Sequence, residues 1–261
     1  MLPIQNTVTR IYPNNEHIYY CGKVHEELRC KNSEDIPIIL NLNIKMRHDG
    51  YLPEVMKDKN KLERNLNILT DMIEEEPENQ RWQYFYCREY YYLHSSTKEM
   101  SNIEDILLNN LLISVNKPVE PRNISIHNYT FLMLDLLCKI KILQKKYDDV
   151  LNITPIMDIL KPDNSDVVYY NHFSETMKIK QKSSELLASI LEYRKNHFEM
   201  QENVISSSGY HIDFIIAILF FENMEYKKSL VYFEFLKDKL YDNSFKILIN
   251  YYLDLLTNMK F

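Results

Sequence analysis

Glycine is nearly missing from this chain: three of 261 residues, Gly22, Gly50 and Gly209. Backbone amides approach phosphates closely where glycines remove the side chain. Neither a P-loop nor a GxGxxG dinucleotide fingerprint can be written with three scattered glycines. The same scarcity disfavours a large sheet with many tight hairpins and favours helices joined by polar turns. The four cysteines, Cys21, Cys30, Cys87 and Cys138, form no CxxC pair. They read as buried or free thiols in a reducing compartment rather than as a disulfide framework. The opening MLPIQNTVTR has no apolar signal core. The strongest apolar run, Phe214 to Phe221, lies between Asp213 and Glu222 and is too short to span a bilayer. A cytoplasmic location, with no membrane span, is expected. The net charge of -6 argues against a dedicated nucleic-acid binder, which needs a phosphate-neutralising surface.

What is present divides at about residue 52. Residues 7 to 51 alternate in a strand-like way: Val8, Ile11, Ile18, Tyr20 and Val24 sit among polar residues, and Pro13-Asn14-Asn15 marks a turn. This first strand-like piece leads into an exposed His25-Glu26 pair, and Ile36 to Ile44 reads as a second one. From Pro53 the spacing becomes helical. Leu62, Leu66, Leu69 and Met72 recur every three or four residues. Pro77 opens an aromatic helix from Trp82 to the Tyr90-Tyr91-Tyr92 cluster, and Ser101-Asn102 caps the next. A long helix is expected from Ile124 to Lys146, then a shorter one from Asp148 to Leu160 that Pro155 bends or splits. After the break at Pro162-Asp163-Asn164, two or three helices run to about Ser206, a helix pair spans Tyr210 to Leu240, and a last helix ends near Met259.

The fold class is therefore mainly α: an irregular tetratricopeptide-like antiparallel helical array with a small N-terminal β-containing segment. Residues 1–52 form the β-containing part and 53–261 the helical repeat-like domain. The best repeat is near the end, where small Ala217 precedes Phe220 and small Ser229 precedes Phe233 and Leu236. Small residues let two helices touch closely, and aromatics fill the next holes. An ordinary helical bundle is the plainer alternative.

Residues 7 to 90 carry a series of short elements in order: Arg10-Ile11-Tyr12, Gly22-Lys23-Val24-His25-Glu26, His48-Asp49-Gly50-Tyr51, Lys61-Leu62-Glu63-Arg64-Asn65 and Pro77. This series resembles the closing segment of the catalytic domain in family-2 glycosyltransferases that carry tetratricopeptide-like tails. Those enzymes show an arginine followed by apolar residues, a Gly-x-aliphatic-His-Glu element, a His-x-Gly-Tyr element and a helix with Lys-x-x-Arg-Asn. The resemblance implies transfer of a sugar from a nucleotide-sugar, usually with inversion. It implies that His25 and Glu26 are the catalytic candidates on the acceptor side, with Arg10, His48 and Tyr51 as substrate-binding candidates. Glu26 or His25 supplies the general base, or His25 helps hold the metal or diphosphate; spacing does not assign the roles.

The resemblance also implies a divalent metal, Mn²⁺ or Mg²⁺, once a full active site is assembled. Such enzymes place an Asp-x-Asp element in an N-terminal donor-binding half, and these 261 residues contain no Asp-x-Asp. The expectation is a truncated product or a subunit that binds no cofactor by itself and is inactive alone. A protein partner supplies the donor-binding domain, or the chain meets a peptide or protein acceptor. The rival reading is a helical scaffold that binds a peptide or protein in a concave groove.

Each candidate has a plainer reading. His25-Glu26 can be a polar pair at a strand end, His48 a turn residue, and Tyr51 packing between the β part and the first helix. The Trp82 to Tyr92 aromatics can stack on sugar faces, but aromatics at helical spacing more often fill a core. His94, His127, His172, His197 and His211 show no ligand spacing.

Overall fold

The computed structural model describes residues 17–31, 61–94, 97–112, 124–197, 205, 206, 208–240 and 242–259. Arg10, His48, Tyr51, the apolar stretch from Ile36 to Ile44 and the expected boundary near residue 52 lie outside the described residues. The described chain is mainly α. Two strands, β1 (Ile18–Cys21) and β2 (Glu27–Cys30), precede helices α1 (Lys61–Glu75), α2 (Gln80–Leu93), α3 (Thr97–Leu111), α4 (Thr130–Leu143) and α5 (Tyr147–Leu160). Helices α6 (Ser165–Asn196), α7 (Tyr210–Glu222), α8 (Tyr226–Leu236) and α9 (Asn243–Asn258) follow. The chain forms two compact units, the first ending at Tyr170 and the second beginning at Asn171.

In the first unit the strands form an antiparallel hairpin that pairs Ile18 with Cys30 and Cys21 with Glu27. The sequence reading recognised β1, but its partner is the short Glu27–Cys30 segment, whose alternation is too brief to stand out. The hairpin lays Cys21 and Val24 on a small core of Leu69, Met72 and Trp82 from α1 and α2. Asn65, Leu66, Leu69 and Met72 are the buried residues of α1; the last three belong to the stripe expected from the spacing, whereas Leu62 is only half-buried. Asn79 caps α2 by accepting a hydrogen bond from the Arg81 amide at 3.0 Å. That helix thus starts three residues after Pro77. Helix α3 begins at Thr97, so Ser101 and Asn102 lie inside it instead of capping it.

A larger core gathers Met100, Ile103, Met133, Leu137, Val150 and Met157 with their neighbours on α2 to α6. Cys87 and Cys138 are fully buried there, and burial pushes both thiols well above their ordinary range. The expected long helix is shorter, Thr130–Leu143. It ends as Lys145 turns left-handed (φ 59), with the Lys146 amide bonded to the Lys141 carbonyl and that of Lys145 to Ile142. This is a Schellman closure without glycine. Pro155 sits inside a helix that runs on to Leu160. Within this core Lys141 Nζ meets Glu104 Oε1 at 2.7 Å and Asp149 Oδ2 at 2.9 Å.

One helix occupies the stretch expected to hold two or three: α6, whose residues up to Tyr170 belong to the first unit and the rest to the second, runs unbroken for 32 residues. No proline or glycine interrupts it after Ser165, and its polar composition blurs the periodicity that marks boundaries. Helices α7 and α8 form a tight pair. Ser229 Oγ donates to the Ala217 carbonyl at 2.8 Å, and both residues are fully buried beside Phe233 and Leu236. The small-residue contact read from the sequence is therefore real. The pair turns at Met224 (φ 62), again through a Schellman closure, Glu225 amide to Phe220 carbonyl and Met224 amide to Phe221 carbonyl. Among the described residues no helix is long and apolar enough to cross a membrane.

Candidate functional site

The site candidates that can be placed, His25 and Glu26, lie in the turn that closes the hairpin, between β1 and β2. Two residues give this turn its shape. Gly22 has φ 103, and a Cβ there would lie 2.8 Å from the Trp82 ring. The backbone approaches the indole so closely that only glycine fits. His25 itself is left-handed, with φ 53, a region that histidine enters more readily than most residues.

Helix α2 holds the turn from below. The Arg81 guanidinium donates from Nη2 to the His25 carbonyl at 2.6 Å and to the Glu26 carbonyl at 3.2 Å, and from Nε to the His25 carbonyl at 3.2 Å. The same guanidinium pairs with Glu27 Oε2 at 2.8 Å and donates to the Tyr129 hydroxyl. Arg29 bridges Glu27 and Glu76. Glu76 also accepts from Asn79 and from the Trp82 indole. The Asn79 hydrogen bond, together with the indole and Arg29, holds its carboxyl below the usual range against a smaller opposing effect of burial.

The imidazole of His25 is not the exposed group expected from the sequence. Its side chain is 17% exposed. The ring stacks on Phe85 with centroids 4.1 Å apart and planes 9° from parallel. Nε2 meets Glu89 Oε1 at 3.0 Å, and Arg88 Nη2 lies 3.3 Å from Nε2 and 3.5 Å from Nδ1. Glu89 is buried and also accepts from Arg88 at 2.7 Å. Burial opposes its charge, but the His25 and Arg88 contacts outweigh that effect and hold its carboxyl below the usual range. Glu26, by contrast, is exposed, as expected.

An ionised carboxylate only accepts, so Nε2 carries the proton in the contact with Glu89. The turn thus carries an exposed carboxylate at Glu26 and, one residue earlier in the chain, an imidazole oriented by α2. Proton transfer to or from an acceptor group is chemistry that such a pair can perform. Phe85 lies in the aromatic stretch weighed above for sugar stacking or core, whereas Arg81, Arg88 and Glu89, set among those core aromatics, gave no signal of their own. Only the spacing of the four together was a signal: they follow one another at i, i+4, i+7 and i+8, one face of a helix. Among the described residues no group of three or more His, Cys, Asp or Glu is placed to hold a metal ion. The Trp82 to Tyr92 aromatics are mostly core: Trp82 and Tyr84 are buried, and only Tyr92 is largely exposed.

No protein-family model matches the chain. Over 161 residues, 62% of its length, it is 30% identical to the SPbeta prophage-derived glycosyltransferase SunS of Bacillus subtilis (strain 168). The glycosyltransferase SunS of Bacillus phage SPbeta gives the same identity and coverage. These matches tie the chain to glycosyltransferases. The match spans 35% of the length of each SunS protein, about a third.

Proposed function

We propose that this chain is the acceptor-side and helical-tail portion of a family-2-like glycosyltransferase, and that it is inactive by itself. The similarity to SunS over 161 residues carries the reading. The His25-Glu26 turn supports it, because it carries an exposed carboxylate and an oriented imidazole at consecutive residues where the family resemblance puts catalytic residues. In this reading Glu26 or His25 takes the acceptor proton as the sugar is transferred, and Arg10, His48 and Tyr51 contribute substrate contacts. The donor nucleotide-sugar, with Mn²⁺ or Mg²⁺, is held by a donor-binding domain outside these 261 residues. The helices behind the turn act as an irregular tetratricopeptide-like tail, in the cytoplasm.

A chimera tests this. The part of the B. subtilis SunS chain that the present chain does not match is joined to these 261 residues, and sugar transfer from uridine diphosphate sugars is followed. The chimera transfers sugar, the chain alone does not, and Glu26→Gln in the chimera lowers kcat by about 10²–10⁴-fold if Glu26 is the base. Turnover by the isolated chain overturns the claim of inactivity. An active chimera indifferent to substitution at both 25 and 26 overturns the site. Calorimetry of the chain alone with uridine diphosphate and Mn²⁺ should show no heat of binding.

A further inference from the structure

We propose that Glu89 of α2 is a positioning residue for His25: it takes up the Nε2–H, fixes the ring in one tautomer and leaves Nδ1 as its acceptor nitrogen. The functional meaning of this rests on His25 being a site residue, as proposed above. The contact itself stands on geometry.

Four observations converge. The Nε2 to Oε1 distance is 3.0 Å, within the normal hydrogen-bond range. The ring cannot tilt freely, because it lies flat on Phe85 at 4.1 Å. The backbone that carries it cannot drift, because Arg81 grips the carbonyls of residues 25 and 26. Glu89 cannot swing into water, because its side chain is 6% exposed and tied to Arg88 at 2.7 Å. Arg88 is a pure donor and its Nη2 lies almost equally near both ring nitrogens, 3.3 Å from Nε2 and 3.5 Å from Nδ1, so with Nε2–H committed to Glu89 the nitrogen left to accept is Nδ1. A hydroxyl or thiol of an acceptor that displaces Arg88 would find Nδ1 ready to take its proton. The same logic orients histidines from outside the reacting centre in other proteins: a carboxylate on one ring nitrogen decides what the other nitrogen does. Helix α2 would then be part of the site rather than a passive support.

The test is proton and nitrogen NMR of the full chain labelled with ¹⁵N-histidine, at alkaline pH, with the His25 signals assigned by their loss in His25→Asn. The expected result is a slowly exchanging Hε2 proton on His25, with Nδ1 unprotonated. Glu89→Leu removes that proton signal while the Lys31 amide, bonded to the His17 carbonyl at 2.7 Å, stays protected. Glu89→Gln retains it, since the amide oxygen still accepts. Absence of the Hε2 proton in the unmodified chain, a protonated Nδ1, or an Hε2 proton that survives Glu89→Leu overturns the proposal. If Glu89→Leu does not fold, the unmodified chain and Glu89→Gln still decide. No sugar nucleotide enters the experiment, so an inactive chimera and a failed tautomer test are separate results.

Discussion

At the scale of single residues, the hairpin turn and one buried ion pair concentrate the chain's sensitivity. Gly22→Ala places a methyl against the Trp82 ring and forces a left-handed alanine. It should cost on the order of 2 kcal/mol, read as a lower midpoint in urea unfolding. Lys141 and Glu104 are 7% and 10% exposed, whereas Asp149, the other partner of Lys141, is 45% exposed. Removing Glu104 leaves a buried ammonium under-compensated, so Glu104→Ala should cost about 3–5 kcal/mol. Asp149→Ala should cost about 1 kcal/mol or less. Comparable losses for the two would show that the buried pair is not the anchor. Acid should act through Glu89. Its carboxyl is held below the ordinary 4.5 in the folded chain, so its contribution is present above about that pH and is lost as pH falls through the folded value. In Glu89→Gln this component of the acid-side loss should vanish from a stability-against-pH curve.

At the scale of elements, most helices were legible because burial imposes a period of 3.6. The Leu66, Leu69 and Met72 stripe and the Ala217–Ser229 contact are the plainest cases. The errors fall where no packing signal exists. Pro77 is a residue that can start a helix, yet Asn79 takes the cap because its side chain can accept from an amide. Ser101 is a good cap type, but Thr97 to Met100 already lie in the helix that buries Met100. The sparse glycine has its own consequence here: α4 and α7 end on Lys145 and Met224, both left-handed. Left-handed side-chain residues carry a penalty that glycine avoids. Lys145→Gly and Met224→Gly should each raise stability by about 0.5–1 kcal/mol, visible as a higher Tm. A lower Tm in both would mean that those side chains contribute more than their backbone costs.

At the scale of the molecule, two compact units each hold their own apolar clusters: Leu137 and its neighbours in the first, Phe233 and its neighbours in the second. Leu137→Ala and Phe233→Ala should each cost about 2–5 kcal/mol. Hydrogen exchange should show each loss of protection centred on the helices of its own unit; uniform loss across both would show one cooperative core. The glycosyltransferase connection was legible because the ordered short elements from Arg10 to Pro77 jointly resemble that family. The support beneath His25 and Glu26 was not, because Arg81, Arg88 and Glu89 become partners of the turn only when α2 passes under it.

The left-handed backbone at position 25 decides how the site should be probed. Alanine, the customary probe, would remove the ring and burden the backbone in one stroke, and any loss of activity in the chimera would have two causes. Asparagine accepts that conformation readily and removes the imidazole alone. Comparing His25→Asn with His25→Ala therefore separates lost chemistry from a distorted turn.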